Sequence, residues 1–281
     1  MKGRRAAEVE GTIQTRPPAP PFGRLLRQWR DVRRISQLEL ALQAEVSSRH
    51  VSFLETGRSQ PSRAMVVRLS QVLDLPLRDR NVLLEAAGFA RLYGESDLTD
   101  PELARVRQVI EFILDRQEPY GAVAVDRRWN VLLANRGHER MLDFLLDGRE
   151  HAGASGNLAR LVFDEGGLKP FVVNWEQVAR AVLERARREV AGRADEEEAA
   201  WLESLLSAPG VPERWRAPDP SLRPPVVIPI QLRKGDFEVS LFTAITTLGT
   251  PLDVTLQELR IESFFPADEE SDRRIRELAD R

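Results

Sequence analysis

The sequence predicts two domains of different class, an all-α domain over residues 22–91 and an α+β domain with an antiparallel sheet over residues 101–281. The length of 281 residues is close to that of two average domains. Up to residue 91, apolar residues recur at helical spacing in short segments. Beyond residue 120, alternating runs typical of strands are mixed with helical segments. Residues 1–21 are predicted to form a flexible tail and residues 92–100 a linker.

Composition excludes several classes of protein and site. Apolar residues make up 42% of the chain and charged residues 30%, which is typical of a globular protein. The absence of cysteine excludes disulfides and thiolate chemistry. The three histidines, His50, His138 and His151, lie far apart, so we expect no metal site. No apolar run approaches the ~18 residues of a membrane span. We therefore expect a cytoplasmic protein without membrane insertion.

Start and stop signals divide the first domain into five short helices. Apolar residues at i, i+3, i+4 and i+7 form one face of the first helix: Phe22, Leu25, Leu26 and Trp29. Ser36 and Glu39 form a capping box that begins the second helix. Ser47 and Ser62 are N-cap residues for the third and fourth helices, and Pro76 precedes the fifth. Short, closely spaced helices of this kind predict a compact all-α domain.

The second domain alternates between the two periodicities. A helix is predicted from Pro101 to about Arg116, and it is a candidate bridge between the domains. Further helices are predicted over 136–147, 175–190 and 195–206, and loops over Gly148–Gly156 and Pro209–Pro225. Five strands are predicted: Ala122–Asp126, Trp129–Ala134, Val226–Arg233, Phe237–Thr247 and Leu256–Phe264. Lys234-Gly235-Asp236 is predicted to be a hairpin turn. We expect an antiparallel sheet with helices on one side.

Charge is unevenly distributed between the two domains. Residues 22–91 contain twelve arginines and seven acidic residues, which gives a balance of +5. Residues 1–21 contribute +2, so residues 92–281 carry −3 − 5 − 2 = −10. A basic N-terminal domain joined to an acidic remainder is typical of a protein whose first domain binds a polyanion.

Residues 36–62 resemble the helix-turn-helix of the phage-repressor (Xre) type. The similarity lies in Ser36-Gln37, Glu39-Leu40-Ala41, Leu54-Glu55-x-Gly57-Arg58 and Pro61-Ser62. Glu45 departs from the pattern, because the turn usually has glycine there, and we expect a slightly different turn. A motif of this kind places its second helix in the major groove of DNA, where each base pair presents a distinct set of donors and acceptors.

Further motifs extend the resemblance to nearly the whole chain from residue 22. They include Val125-Asp126-Arg127-Arg128-Trp129-Asn130, Val173-Asn174-Trp175, Phe242-Thr243 and Gly249-Thr250-Pro251. Together they resemble the MmyB-like regulators, which join a helix-turn-helix to a PAS-like ligand-binding domain. The resemblance implies a bacterial transcription regulator that binds double-stranded DNA and, as a second partner, a small apolar ligand such as a fatty acid. No other cofactor is implied.

The resemblance assigns DNA contacts to eight residues: Gln37, Ser47, Ser48, Arg49, His50, Ser52, Phe53 and Arg58. Ser48, Arg49 and Phe53 are expected to face base edges, with Arg49 suited to guanine. Gln37 and Arg58 are expected to contact phosphates. Packing in the core is the alternative role for Phe53, and a solvated charge the alternative for Arg58. The family pattern also pairs Glu55 with an arginine of the first helix, here Arg30.

Six residues of the second domain are candidates for ligand contact: Trp129, Phe171, Asn174, Trp175, Phe242 and Thr243. Apolar residues of this kind more often pack in a core, so core packing is the alternative for each aromatic residue. Repressor-type domains bind inverted half-sites as dimers, so by analogy we expect a homodimer.

Two other functions are alternatives to a ligand-responsive regulator. One is an enzyme with a DNA-binding appendage, and the other is a DNA-binding protein whose second domain only dimerises. The sequence contains none of the motifs G-x-x-x-x-G-K-[ST], G-x-G-x-x-G, G-x-S-x-G and H-E-x-x-H. We therefore predict that the protein is not an enzyme.

Overall fold

The computed structural model describes residues 21–148, 156–190, 196–217 and 227–281. The predicted tail before Pro21, most of the glycine loop at 148–156, Asp195, the proline-rich segment beyond residue 217 and Val226 lie outside these ranges. The chain divides into two compact units between Leu92 and Tyr93. Among the helices that the structure describes, none is long and apolar enough to cross a membrane.

Over residues 21–92 the structure describes five helices, as predicted. They are α1 (Phe22–Val32), α2 (Gln37–Gln43), α3 (Ser48–Glu55), α4 (Arg63–Val72) and α5 (Leu77–Ala86). Each contributes leucines to one core, including Leu26, Leu40, Leu54, Leu69 and Leu83, all at most 1% exposed. Burial of these side chains stabilises the unit by about 2 kcal/mol each.

Side-chain caps begin three of these helices. The capping box at Ser36 is confirmed, because the Ser36 hydroxyl accepts from the Glu39 N–H and the Glu39 carboxylate accepts from the Ser36 N–H. The hydroxyls of Ser47 and Ser62 accept from the N–H groups of His50 and Met65. Caps of this kind each contribute about 1 kcal/mol.

In the described part of the second unit, five strands form one antiparallel sheet. They are β1 (Ala122–Val125), β2 (Val131–Ala134), β3 (Ile230–Lys234), β4 (Phe237–Thr247) and β5 (Arg260–Pro266), in the order β2-β1-β5-β4-β3. The helices are α6 (Ala104–Asp115), α7 (Arg136–Leu146), α8 (Leu158–Phe163), α9 (Trp175–Val190), α10 (Glu196–Leu206), α11 (Val254–Glu258) and α12 (Glu269–Ala279). This arrangement confirms the predicted α+β class.

Both faces of the sheet are covered at β1, which corrects the expectation of helices on one side. In β1, Ala122 and Ala124 pack with Ile110 and Leu114 of α6. Val123 and Val125 point the other way, into a larger core shared with α7, α8, α9 and α12. Because side chains alternate along a strand, four buried residues in succession require a cover on each face. The alanines leave room for α6.

The predicted strand Leu256–Phe264 is wrong at its beginning. Residues Val254–Glu258 form α11, because the Asp253 carboxylate accepts from the N–H groups of Thr255 and Leu256 and caps a helix. The strand begins at Arg260. The helices α8 and α12 were not predicted, although Asn157 and Asp268 cap them. The turn between β3 and β4 is confirmed, with Gly235 at φ +57°.

Candidate functional site

The exposed face of α3 is a candidate nucleic-acid interface. Val51 and Leu54 are buried in the core, so the other side of this eight-residue helix faces outward. Ser47, Ser48, Arg49 and Arg58 are exposed, while His50, Ser52 and Phe53 are partly exposed. All seven are predicted DNA contacts. Helical spacing places Ser48, Arg49, Ser52 and Phe53 on the side away from the core, and Ser47 and Arg58 lie at the two ends of the helix. Their contacts with DNA stay predictions.

Phe53 lies at the surface rather than in the core. Its ring is partly exposed and lies between two arginines, with the guanidinium carbon of Arg49 5.1 Å from the ring centroid and that of Arg58 5.9 Å away. Cations at these distances are attracted by the face of the ring. Phe53 thus orders the two cations that the sequence predicts to contact bases and phosphates.

Gln37, the eighth predicted contact, is held by a buried carboxylate. The Glu55 side chain is 3% exposed and accepts from Gln37 Nε2 at 2.7 Å. It also accepts from Arg30 Nε at 2.7 Å and Nη2 at 3.2 Å, which confirms the predicted pair of Arg30 and Glu55. The hydrogen bond from Arg30 to Glu55 raises the pKa of Arg30 above its ordinary value. Sequence reasoning missed that Glu55 also orients Gln37.

The turn before α3 keeps the geometry of the usual glycine. Glu45 adopts φ +54°, a left-handed conformation that glycine takes without steric cost. The expectation of a different turn is therefore not met. The Glu45 carboxylate forms an exposed ion pair with Arg68, which does not explain why glutamate occupies this position.

A cavity of about 220 Å³ lies in the second unit between the sheet and its helices. Its lining is mostly apolar and comes from α7, α8, α9, β3, β4 and β5, with residues such as Leu142, Val162, Val182, Ile230, Leu241 and Phe264. The volume exceeds that of an engineered apolar cavity of about 150 Å³ that binds benzene. A mostly apolar cavity with few polar groups is typical of small-ligand sites.

Trp129 lies on this cavity in a strained turn. Its backbone has φ +65°, which is rare for a bulky side chain. The Asp126 carboxylate holds the turn by accepting from the N–H groups of Arg128 and Asn130. The Trp129 indole donates to Glu189 at 3.1 Å, and its ring lies 4.2 Å from the guanidinium carbon of Arg185. Backbone strain of this kind is commonly found at functional sites.

The charged groups of the lining form ion pairs, although Arg185 Nη2 is buried without a hydrogen-bond partner among the described residues. Arg185 donates from Nη1 to Glu262 at 2.7 Å and from Nε to Glu189 at 2.9 Å. The Glu262 side chain is 5% exposed. Tyr120 donates its hydroxyl to Asp272 and accepts from Arg276. Burial lowers the pKa of His138 to about 4, so its imidazole is neutral at pH 7.

The structure brings two of the six predicted ligand residues, Trp129 and Thr243, to the cavity. Asn174 instead joins β3, because its amide donates to the Pro229 carbonyl at 2.7 Å and accepts from the Gln231 N–H at 3.1 Å. Trp175 donates to the Val162 carbonyl at 2.8 Å. These two residues are outside the lining, and their ligand contact stays a prediction.

The two predicted phenylalanines are also outside the lining. Phe171 packs at the edge of the core, 5.9 Å from Lys234 Nζ. Phe242 lies on the opposite face of β4 from Thr243 and stacks on Phe265 at 5.3 Å. Because neighbouring residues of a strand point to opposite faces, Phe242 and Thr243 do not share one cavity.

Sequence reasoning missed Tyr120, His138, Arg185 and Glu262, which also line the cavity. A signal existed for Arg185, since it follows Val178 and Val182 at i+7 and i+3 on the apolar face of α9. A charged residue in that position is expected to have a buried partner. The partner Glu262 is 77 residues away along the chain.

Comparison with known proteins gives matches for both units. Residues 106–278 match the MmyB-like transcription regulator ligand binding domain, and residues 21–83 match a helix-turn-helix domain. The uncharacterized HTH-type transcriptional regulator RghRB of Bacillus subtilis (strain 168) is 34% identical over 76 residues. That alignment spans 27% of this chain and about half (52%) of the relative.

A solved structure of an RNA-binding light-oxygen-voltage receptor covers 99% of this chain and 69% of its own, at 13% identity and a TM-score of 0.25. A score of that size does not establish a common fold. The match to the ligand-binding domain covers more than half of the chain. It agrees with the prediction of a regulator rather than an enzyme. The chain belongs to the MmyB-like transcription regulators.

Proposed function

We propose that the protein is a sequence-specific regulator of transcription that binds double-stranded DNA through α3 and is controlled by a small apolar ligand in the cavity of the second unit. The observation that carries the proposal is the exposed face of α3, where Ser48, Arg49 and Phe53 lie together on a helix-turn-helix. The balance of +5 over residues 22–91 favours a polyanionic partner.

Arg49 is the proposed reader of base sequence. Its guanidinium is exposed and lies beside the Phe53 ring, so it is available to donate two hydrogen bonds to guanine O6 and N7. Gln37 and Arg58 are the proposed phosphate contacts, and contacts to phosphate carry no direct sequence information. Phe53 is suited to pack against a thymine methyl group.

Selection of binding sites from a random DNA library tests this assignment. Arg49→Ala is expected to cost about 1–3 kcal/mol on the selected site and to relax the preference at one base pair. Gln37→Ala is expected to weaken binding to all sequences alike. Arg27→Ala is the control, because it removes an exposed cation of α1 without touching α3. An unchanged consensus with Arg49→Ala would contradict the role of Arg49.

The proposed ligand is a molecule with an acyl or similar apolar chain, such as a fatty acid. The mostly apolar lining favours this class, and each methylene transferred from water contributes about 0.8 kcal/mol. A ligand that binds only the folded state raises the free energy of unfolding by about 2.7 kcal/mol at a hundredfold excess over Kd. Thermal unfolding of the full chain across chain lengths tests this, with DNA affinity measured in parallel. If no lipid raises Tm, the ligand proposal fails.

We further propose that the protein acts as a homodimer on inverted half-sites, as repressor-type domains do. Sedimentation equilibrium at micromolar concentration tests the assembly. Binding to operators whose half-sites are moved apart tests the geometry, since a dimer requires one spacing. Equal binding at all spacings would contradict the dimer.

A further inference from the structure

Arg185 brings a positive charge to the wall of the apolar cavity. Among the described residues of the lining it is the one lysine or arginine, and the imidazole of His138 is neutral because burial lowers its pKa to about 4. Two nitrogens of the Arg185 guanidinium are bonded, Nε to Glu189 at 2.9 Å and Nη1 to Glu262 at 2.7 Å. The third nitrogen, Nη2, is buried and has no hydrogen-bond partner in the described ranges.

A buried Nη2 without an acceptor indicates that a partner is missing. Most buried polar groups in folded proteins are hydrogen-bonded, and it is costly to leave a charged group unpaired in a buried site. Arg185 lines the cavity, whose other walls are mostly apolar, so a ligand bound there can supply the acceptor. A guanidinium stays charged at neutral pH, and its planar N–H groups match a carboxylate. The charge of Arg185 therefore favours an ionised acceptor over a neutral one.

The surroundings of the Arg185 guanidinium hold it in place. Its carbon atom lies over the ring of Trp129, 4.2 Å from the centroid. The indole of Trp129 donates to Glu189 at 3.1 Å, and Glu189 also accepts from Arg185. Since these contacts and the bond to Glu262 fix the side chain, Nη2 keeps its position without a ligand. Binding at Nη2 then loses little side-chain entropy.

Glu262 competes with any bound anion for the same guanidinium. Arg185 and Arg260 face two carboxylates, those of Glu189 and Glu262, and Arg260 Nη1 lies 2.6 Å from Glu189. These four groups are balanced in charge, so a ligand carboxylate adds one negative charge and shares Arg185 with Glu262. The affinity for an anion therefore depends on both residues, with Arg185 as the donor and Glu262 as an opposing charge.

On the basis of the proposed ligand-binding function, we infer that Arg185 binds the carboxylate of an acyl ligand through Nη2 and that Glu262 limits the affinity for this carboxylate. The head group then lies where α9 meets β5, at the ion pair of these two residues. The acyl chain extends along the apolar remainder of the cavity, beside Leu142, Val182 and Phe264. The cavity thereby distinguishes an ionised fatty acid from a neutral lipid with the same chain.

Two probes of one chain length test this inference on the full-length protein. They are decanoate and decanamide at pH 7.5, where a carboxylic acid is ionised, with Kd measured by calorimetry. The two head groups have nearly the same shape and differ in charge, so the ratio of the two Kd values isolates the effect of the charge. We expect decanoate to bind about tenfold more tightly than decanamide, because its hydrogen bond to the guanidinium is charge-assisted.

A double substitution removes Arg185 without leaving Glu262 as an unmatched charge. Arg185→Gln combined with Glu262→Gln replaces the ion pair by two neutral amides. We expect the preference for decanoate to fall from about tenfold to none, while decanamide binds within about threefold of its original affinity. Arg188→Gln is the matched control, because Arg188 is an exposed arginine of the same helix, and we expect it to keep the preference.

Glu262→Gln alone removes the opposing charge and keeps a side chain of the same size. We expect this variant to bind decanoate about fivefold more tightly, since a like charge beside the head group disfavours an anion, and to bind decanamide as before. Glu238→Gln is its control, because Glu238 is exposed on β4 and pairs with Arg233.

The outcomes separate this inference from the proposed function. If decanamide binds as tightly as decanoate or more tightly, the contact with the carboxylate is wrong, while the cavity keeps its proposed role. If the double variant keeps the preference for decanoate as Arg188→Gln does, Arg185 is not the anchor. If Glu262→Gln leaves the affinity for decanoate unchanged, the opposing role of Glu262 is wrong. If neither probe binds, the proposed binding of an apolar chain fails, and this inference with it. The comparison of the probes on the unmodified protein does not depend on the folding of any variant.

Discussion

Glu55 shows how much of the first unit depends on one buried carboxylate. Three N–H donors from Arg30 and Gln37 converge on it, and its side chain is almost completely enclosed. A buried ion pair adds little stability compared with apolar packing, but removal of one partner leaves an unmatched charge. The stability of the unit and the position of the predicted phosphate contact Gln37 are therefore linked through this residue.

Arg30→Met is expected to lower the free energy of unfolding of the first unit by about 3 kcal/mol, because it leaves Glu55 buried without its cation. Hydrogen exchange of the amides in α1–α5 measures this loss unit by unit. Arg27→Met is the control on the same helix, since among the described residues Arg27 forms an exposed pair with Asp31, and its change is expected to stay within about 0.5 kcal/mol. Equal losses in the two variants would contradict the role of Glu55.

His138 is expected to make the second unit less stable in mild acid. Its pKa is about 4 in the folded state, where burial is the cause, and near 6.5 in the unfolded state. The unfolded chain therefore binds the proton more tightly. The contribution of His138 to stability is complete above pH 6.5 and is lost as the pH falls toward 4, by at most about 1.4 kcal/mol per pH unit.

The measurement is urea unfolding at pH 7 and pH 5, followed by tryptophan fluorescence. Four of the five tryptophans, Trp129, Trp175, Trp201 and Trp215, lie in the second unit. His138→Phe keeps a ring against Phe264 and is expected to remove about 2 kcal/mol of the difference between the two pH values. His50→Gln, in the other unit, is the control. An unchanged pH dependence in His138→Phe would refute the assignment.

At the scale of the elements, local signals predicted those helices whose caps stand beside a regular apolar pattern. Ser36, Ser47 and Ser62 each precede such a pattern, and α2, α3 and α4 begin at the next residue. Prediction failed at α11, where Leu256 and Leu259 allow a strand or a helix equally well. The Asp253 carboxylate selects the helix, because it accepts from the Thr255 N–H and caps the first turn. The same carboxylate is held in place by Ser96, 157 residues away in sequence, which donates to it. A contact over that distance is not visible in local sequence.

The turn between α2 and α3 offers a prediction at this scale. Glu45→Gly is expected to raise the free energy of unfolding of the first unit by up to about 1 kcal/mol, because glycine adopts φ +54° without the steric cost of a Cβ. The exposed ion pair with Arg68 contributes little that would be lost. Glu45→Ala is the control, since it removes the same pair and keeps the Cβ. Hydrogen exchange of α2 and α3 measures both, and a gain with alanine would contradict the argument.

At the scale of the whole molecule, the two sites differ in how far sequence could predict them. The α3 face is made by residues of one short helix, so the resemblance over a short stretch of sequence was enough to assign Ser48, Arg49 and Ser52 to it. The cavity is made by residues from α7, α9, β4 and β5, and the ion pair of Arg185 and Glu262 joins two of these elements. Trp129 and Thr243 were predicted from the family resemblance. Arg185 and Glu262 were not predicted, because only the folded arrangement of α9 and β5 brings them together.

We expect the DNA-binding face of α3 and the cavity of the second unit to be coupled. If a cavity ligand changes the affinity for DNA by some factor, DNA must change the affinity for that ligand by the same factor, and a tenfold effect corresponds to about 1.4 kcal/mol. We expect such a factor for the full chain. DNA affinity is measured with and without a saturating fatty acid that raises Tm, and the affinity for that fatty acid with and without the selected operator. If the ligand leaves the DNA affinity unchanged and DNA leaves the ligand affinity unchanged, the cavity does not control DNA binding. The predicted role of the helix after Pro101 as a bridge would then be wrong as well.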